Sequence, residues 1–303
     1  MAILVFGSIN EDVIIPLERR PAAGETVLGS EVTLGQGGKG ANQAAAAAAA
    51  AGVEVRMVGA VGADGAGNRA LQALTVAGVE TDLVATLEDA RTGTAYVHVT
   101  PDGENSIVVV PGANHAVDGT LLGQLQPALS ASDVVIVQTE IGSAGADAAA
   151  ELASGNGARL VLNAAPVIPL TRETYSACDP LVVNEHEARD IAGIDPFVQD
   201  PTILAEAVRR VSGARSVVVT LGAKGCIVFD ANKQYLVPGE SARVVDTTGA
   251  GDVFVGTLAA RLALGDQLER AATSANAAGA RAVTWQGARE VIPAHATSRG
   301  STC

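Results

Sequence analysis

The chain has 303 residues, 48% of them hydrophobic but only 3% aromatic, and 20 Lys and Arg against 33 Asp and Glu give a formal net charge of -13. A core built from Ala, Val, Leu and Ile at this length favours helices layered on a sheet over an aromatic-rich β sandwich. The acidic balance argues against nucleic acid or an anionic membrane as partner, yet leaves room for an anionic ligand at a helix start, where backbone N–H groups supply the field.

Ile3–Phe6 reads as a first strand buried on both faces, without the charged region or cleavage site of a signal peptide. No apolar run reaches the ~18 residues of a membrane span, so a soluble, cytoplasmic protein is expected. Cys178, Cys226 and Cys303 are far apart and in no metal-ligand spacing, as expected of free thiols in a reducing compartment.

Ser8-Ile-Asn10-Glu-Asp12 leaves this first strand at its carboxyl end. Asn10 and Asp12, two apart on an extended segment, share a face and suit vicinal hydroxyls; a plain polar turn is the other reading. Residues 9–34 then hold the short runs Asp12–Ile15, Thr26–Leu28 and Val32–Leu34, and residues 92–110 read as a hairpin, Thr94–Thr100 and Ser106–Val110 around Pro101-Asp-Gly-Glu104. Pro presets φ in that turn and Gly supplies a left-handed position. Lacking helical crossovers, both regions read as a small β flap inserted in two pieces, or else as edge strands of the main sheet.

Leu34-Gly-Gln-Gly-Gly-Lys-Gly-Ala-Asn42 contains G-x-G-x-x-G at Gly35, Gly37 and Gly40. It follows a flap strand rather than the first sheet strand, where a dinucleotide fingerprint belongs, and Ala41-Asn42 rules out a Walker A loop. Glycines that let a polyol approach the backbone, with Lys39 and Asn42 bonding it, are the better reading; a glycine-rich turn with a capped helix is the bland one. The alanine run Ala44–Ala51 is a strong helix former.

Beyond it, short apolar runs (Val55–Val58, Val134–Val137, Leu160–Leu162, Leu181–Val183, Ser216–Thr220) alternate with helical stretches (Ala41–Ala51, Ala66–Ala77, Ala144–Ala153, Glu185–Ile191, Thr202–Val211). That alternation predicts a parallel, doubly wound α/β sheet whose ligands bind at the carboxyl ends of strands. Glu140 ends one such strand and is placed to contact substrate or metal-bound water. After Val183, Asn184 and Glu187 are positioned to orient hydrated Mg²⁺ and phosphates, or else serve only as favourable charges at a helix start. Thr220-Leu-Gly-Ala-Lys-Gly225 is a tight loop under a nucleotide or only a hairpin turn.

The strongest feature is Val244-Val-Asp-Thr-Thr-Gly-Ala-Gly-Asp252, followed by the apolar helical run Val253–Leu264. Gly249, Ala250 and Gly251 permit close approach of a ligand, and the helix start directs free N–H groups at it. Asp252, expected as the first helical residue, can take a proton from a hydroxyl while those N–H groups neutralise a transferring phosphoryl group. A simple Asp N-cap is the alternative.

Together these residues resemble the ribokinase, or PfkB-type, carbohydrate kinase family from about Ile3 to Pro293. The motifs are Gly-Ser-Ile-Asn-Glu-Asp (7–12), Gly-Gly-Lys-Gly-Ala-Asn-Gln (37–43), Pro-Gly-Ala-Asn (111–114), Asn-Glu-His-Glu (184–187), Thr-Leu-Gly-Ala-Lys-Gly (220–225) and Asp-Thr-Thr-Gly-Ala-Gly-Asp (246–252), in family order. The resemblance implies a Rossmann-type αβα sandwich (1–8, 35–91 and 111–295) with a central mostly parallel sheet, a small β-sheet lid (9–34 and 92–110) and a flexible tail at 296–303. It implies ATP, Mg²⁺ and K⁺ as cofactors, a sugar as substrate, neither nucleic acid nor membrane as partner, and a homodimer formed through the lid.

By the same resemblance Asn10, Asp12, Gly38, Lys39, Gly40, Asn42 and Glu140 line the sugar site, with Asp252 the base and Gly249 to Gly251 the anion hole. Asn184, Thr220, Leu221, Gly222, Ala223, Lys224, Gly225, Gly251 and Asn276 surround ATP, Glu187 reaches Mg²⁺ through water, and Asp246, Thr248, Ala282, Trp285 and Gly287 hold the monovalent cation. D-Ribose is the expected substrate, phosphorylated at its 5-hydroxyl; 2-deoxyribose, fructose or a nucleoside are alternatives within the family. An NAD-binding oxidoreductase using Glu54 as its acidic residue, and a non-catalytic sugar sensor, are the rivals outside it. Departures from the family pattern are one extra residue between Asn42 and Gly52, Glu11 between the Asn and Asp, Thr257 where the signature prefers Ala or Gly, and Val291 where a serine oxygen can serve the cation.

Overall fold

The computed structural model describes residues 1–289 except 103, 104, 196, 231 and 232. The chain opens with β1 (Ile3–Phe6), β2 (Asn10–Pro16), β3 (Thr33–Gly37), α1 (Lys39–Ala51), β4 (Val55–Gly62), α2 (Gly65–Val76) and β5 (Glu80–Leu87). It continues through β6 (Gly93–Val99), β7 (Asn105–Val110), α3 (Gly119–Leu125), β8 (Val134–Gln138), α4 (Gly142–Gly155), β9 (Arg159–Asn163) and α5 (Arg172–Ala177). The remainder is β10 (Cys178–Asn184), α6 (Glu185–Ala192), α7 (Pro201–Ser212), β11 (Ser216–Thr220), β12 (Gly225–Asp230), β13 (Lys233–Pro238), α8 (Ala250–Ala263) and α9 (Leu268–Ala282).

The larger sheet has the order β13-β12-β11-β10-β9-β8-β1-β4-β5 and is parallel from β11 to β5, with β12 and β13 added antiparallel at one edge. Successive residues of a strand point to opposite faces. Leu4 and Phe6 of β1 accordingly join one apolar cluster, with α3, α4, α6 and α7, while Ile3 and Val5 join the other, with α1, α2, α8 and α9. This is the expected α/β sandwich with helices on both faces. Gln138 and Asn163 extend β8 and β9 beyond the apolar runs, so these strands end in polar side chains at the sheet's carboxyl edge.

A second sheet, β3-β2-β6-β7, stands apart from the first; β2 is parallel to β6 and antiparallel to β3. Two expectations change here. Thr26–Leu28 forms no strand; the chain just after it meets the end of β2 through the bridge Leu17–Gly29 and the Ser30 N–H bond to the Pro16 carbonyl. Residues 35–37 continue β3 opposite Asp12 to Asn10, so they belong to the smaller sheet rather than to the helix-flanked layer.

The alanine run is an interface rather than filler. Ala41, Ala44 and Ala47 of α1 are fully buried, and α8 lies directly on them. Small side chains let the two axes approach closely, and α1 ends where Gly52 takes a left-handed conformation, which closes off the extra residue. No described helix is long and apolar enough to cross a membrane. Cys178 and Cys226 are free and buried; the tail 296–303, Val291 and the Gly103-Glu104 turn lie outside the described residues.

Candidate active site

The start of α8 is built on Gly249, which adopts φ 76° and carries no side-chain cap. A Cβ at that position would sit 2.6 Å from the Ala288 Cα, so only glycine lets this turn lie against the 285–289 segment. The N–H groups of Gly251 and Asp252 meet no protein acceptor among the described residues. Two unpaired amides at the positive end of a helix form an anion site. Asp252 is the third residue of α8, not the first and not its cap; the N-cap position belongs to Gly249.

The Asp252 carboxylate is buried and braced by two amides. Asn42 Nδ2 donates to Oδ2 at 3.0 Å and Gln43 Nε2 to Oδ1 at 2.9 Å. Each amide is itself held: Arg289 Nε donates to Asn42 Oδ1 at 2.8 Å, and Gln138 Nε2 donates to Gln43 Oε1 at 2.7 Å. Gln43 Nε2 also lies 3.0 Å from Asn163 Oδ1. The polar ends of β8 and β9, the first turn of α1 and the segment after α9 therefore converge on one carboxylate.

Facing it are the residues expected around a sugar. Asn10, buried on β2, accepts from Asn114 Nδ2 at 2.7 Å, and Asn114 Oδ1 accepts from the Ile9 N–H at 2.9 Å. Asp12 lies against Gly37, where a Cβ would overlap its carboxylate. Burial pushes the Asp12 carboxyl up to about 6, assisted by Glu140 and Asp252 and opposed by Arg289. Burial alone would lower the Lys39 ammonium, but the carboxylates of Asp252, Glu140 and Glu187 outweigh it and raise its pKa. Burial likewise lowers Arg289 to about 10 against the pull of Asp12 and Asp252. Four carboxylates, Asp12, Glu140, Glu187 and Asp252, here oppose two cations, Lys39 and Arg289, which suits a neutral polyhydroxyl ligand better than a sugar acid.

Gly38, Lys39 and Gly40 start α1 without a side-chain cap. Their helix start is nonetheless filled. The Lys39 N–H donates to Glu140 at 3.1 Å, Gly40 N–H to Ser8 Oγ at 3.3 Å and Ala41 N–H to the Ser8 carbonyl at 2.9 Å, while Ser8 Oγ also bonds Glu140. A carboxylate on these amides repels the pyrophosphate that a dinucleotide reading requires. Glu54 precedes β4 at the amino edge of the sheet and pairs with Arg56, away from this site.

Beside Asp252 a cleft of about 140 Å³ opens at the carboxyl ends of β9, β10 and β11, lined by Lys39, Asn163, Asn184, Glu187, Thr220, Gly249, Gly251 and Asp252. Asn184 and Glu187 form a capping box on α6: Asn184 Oδ1 accepts from the His186 and Glu187 N–H groups, and Glu187 accepts from the Asn184 N–H at 2.7 Å. They cap a helix and line the cleft at once. Burial raises the Glu187 carboxyl, against its bond from Asn184 and the nearby Lys39.

Thr220 ends β11 in that cleft, and Gly222, Ala223 and Lys224 form a 3-10 turn into β12, so this motif is a hairpin turn at the cleft's rim. Leu221 faces inward and is buried. Gly225 opens β12, and Asn276 Nδ2 donates to the Pro238 carbonyl at 2.9 Å, which ties α9 to the end of β13 rather than to the cleft lining.

The loop before α8 folds against the segment after α9. Asp246 accepts from the Thr248 N–H and the Gly287 N–H, each at 2.9 Å, and the Val245 N–H donates to the Val283 carbonyl at 2.7 Å. Burial would raise the Asp246 carboxyl, but these bonds together lower it. Of the residues expected around a monovalent cation, these bonds bring Asp246, Thr248 and Gly287 together, and the Asp246 carboxylate is a hard-oxygen donor of the kind such an ion takes. Among the described residues no group of three or more His, Cys, Asp or Glu could hold a metal ion.

Ser8, Gln43, Asn114, Gln138, Asn163 and Arg289 join the site without having been singled out as site residues from sequence. Gln138 and Asn163 carried a readable signal: each ends an otherwise apolar strand with a polar side chain. Gln43 and Asn114 sit inside quoted motifs. Arg289 lies in an aperiodic segment and offers no such signal.

The pattern of the pfkB family carbohydrate kinases matches residues 2–295. A ribokinase of Bacillus subtilis is 36% identical over 291 residues, covering 96% of each chain, and one of Haemophilus influenzae is 34% identical over 289 residues, covering 95% of this chain and 94% of its own. The structure of Arabidopsis thaliana ribokinase complexed with ribose and ATP superposes with a TM-score of 0.83 at 31% identity, covering 95% of this chain and 93% of that one.

Proposed function

The chain belongs to the pfkB family of carbohydrate kinases and is an ATP-dependent carbohydrate kinase; from that premise we propose that it phosphorylates the 5-hydroxyl of D-ribose to give D-ribose 5-phosphate. One observation carries the mechanism: a braced carboxylate, Asp252, and two unpaired helix amides share a single turn. Asp252 takes the proton of the sugar hydroxyl as that oxygen attacks the γ-phosphorus of ATP. The bond to the β-phosphate oxygen breaks, ADP leaves, and in the anion hole at Gly249–Gly251 the free N–H groups of Gly251 and Asp252 neutralise the charge on the transferring group.

On this reading the triphosphate lies in the cleft between Asn184, Thr220 and Gly251, with Gly222 to Gly225 beneath the nucleotide and Asn276 at the outer rim. Glu187 would help to hold a magnesium ion, through water, and that ion would supply further positive charge. A potassium ion held by Asp246, Thr248 and the carbonyls of Ala282, Trp285 and Gly287 would stiffen the anion-hole loop.

The sugar lies on the other side of Asp252, among Asn10, Asp12, Gly38, Lys39, Gly40, Asn42 and Glu140. The smaller sheet acts as a lid that excludes water during transfer. Its edge strand β7 exposes Ile107, Val108, Val109 and Val110, which supports pairing of two copies through the lids. A cytoplasmic location follows from the same reading.

The test is ADP release from ATP with D-ribose, 2-deoxyribose, fructose and nucleosides, with and without potassium, using wild type and Asp252→Asn. Ribose turnover that potassium stimulates and Asp252→Asn abolishes is expected. Turnover of nucleosides but not ribose would overturn the substrate, and unchanged turnover in Asp252→Asn would overturn the base.

A further inference from the structure

Arg289 is the one cation at the site whose role the phosphoryl-transfer scheme leaves open. Its Nε donates to Asn42 Oδ1 at 2.8 Å, and a terminal nitrogen lies 3.4 Å from the Gly37 carbonyl. A side-chain amide has one accepting and one donating end. A guanidinium on Oδ1 therefore commits the Nδ2 end of Asn42 to its remaining partner, Asp252 Oδ2, at 3.0 Å. Turned over, the amide would set N–H against the guanidinium and oxygen against the carboxylate, two repulsions in a low-dielectric site.

At the other carboxylate oxygen Gln138 Nε2 donates to Gln43 Oε1, which leaves Gln43 Nε2 to donate to Asp252 Oδ1. The segment bearing Arg289 is itself anchored, because Gly287 donates to Asp246 and Ala288 lies against Gly249. The arginine thus reaches the base's partner from the anion-hole side of the site.

We propose that Arg289 is a positioning residue for phosphoryl transfer, which sets the Asn42 amide so that the Asp252 carboxylate is held towards the sugar hydroxyl. The role rests on Asp252 being the base. It predicts a defect confined to the sugar half-reaction, since Asn42 faces the sugar and the base but not the nucleotide.

The experiment compares Arg289→Met, Arg289→Lys, Asn42→Ala and the Arg289→Met/Asn42→Ala pair, with Asp252→Asn alongside, measuring kcat and both KM values. Arg289→Met is expected to lower kcat/KM for ribose about 10- to 100-fold while KM for ATP stays within about twofold. Arg289→Lys, which can still donate to Asn42 Oδ1, recovers most of the loss, and in the Asn42→Ala background Arg289→Met has little further effect. Wild-type ribose kinetics in Arg289→Met, an equal rise in KM for ATP, or full additivity with Asn42→Ala would overturn the role. If Arg289→Met does not fold, Arg289→Gln, too short to span to Asn42, takes its place with the same expected and opposing outcomes. Full activity in Asp252→Asn removes the base assignment itself; a dead Asp252→Asn beside a fully active Arg289→Met removes only the positioning role.

Discussion

Gly256 of α8 lies so close to the backbone carbonyl of Gln43 in α1 that a Cβ at position 256 would overlap that oxygen. The same Cβ would stand 2.7 Å from Ala46 Cβ and 2.9 Å from Ala47 N. The site depends on this approach, because Asn42 and Gln43 reach Asp252 only if the helices touch.

Gly256→Ala should therefore cost about 1–3 kcal/mol of stability as the helices are forced apart, and should lower kcat more than the equally buried Ala263→Gly at the far end of α8. Chemical denaturation and steady-state kinetics on both variants check this. Equal kinetic effects would show that helix spacing does not set the base's geometry.

Gln43→Leu removes the donor to Asp252 Oδ1 and leaves Gln138 and Asn163 facing an apolar side chain. Buried polar groups stripped of partners cost about 1–3 kcal/mol, and the base loses one of its two braces. Loss of both stability and kcat is expected, measured by thermal melting and turnover.

Asp12, with its carboxyl near 6 against a usual 3.8, should make sugar use pH-dependent. Below that value it carries a proton and accepts fewer hydroxyl donors, so kcat/KM for ribose falls on the acid side while KM for ATP does not follow. Asp12→Asn should flatten that limb at a lower overall level. Stability runs the other way: the folded carboxyl keeps a proton that the unfolded chain gives up between 3.8 and about 6, so unfolding free energy falls as pH rises through that window. Burial is the main cause of the raised value, with Glu140 and Asp252 adding to it and Arg289 opposing it; urea melts of wild type and Asp12→Asn at pH 4 and 7 test the sign.

If two copies pair through their lids, Ile107→Asp combined with Val109→Asp should halve the mass seen by sedimentation equilibrium. A wild type that sediments as a single chain at micromolar concentration would remove the pairing.

Much of this was legible from residue order. Doubly buried strands are continuous Val, Ile and Leu runs, so β1, β4, β8, β9, β10 and β11 announced themselves, and glycines before an apolar helix marked α8. β5 did not, because Glu80, Thr81 and Asp82 open an edge strand with polar residues. α9 was missed although Leu268, Ala271, Ala272, Ala275 and Ala278 keep helical spacing, because all but one of these buried positions are alanine and carry little apolar signal. At the site, motif neighbours were foreseeable, but the network around Asp252 draws on four separate segments, α1, β8, β9 and the stretch after α9, and contacts between distant segments leave no local pattern. Arg289 is the clearest case.

Only three residues, Gly7, Ser8 and Ile9, separate the end of β1 from the start of β2. Asn10 and Asp12 thus ride on the smaller sheet, while Lys39, Asn42, Glu140 and Asp252 belong to the larger body. A sugar bonded to both sets ties the two layers together; a nucleotide in its cleft, lined wholly by the larger body, does not. On the proposed mechanism the order of arrival would matter: sugar first would assemble the site around the reacting hydroxyl, whereas nucleotide first would leave Asp252 open to water.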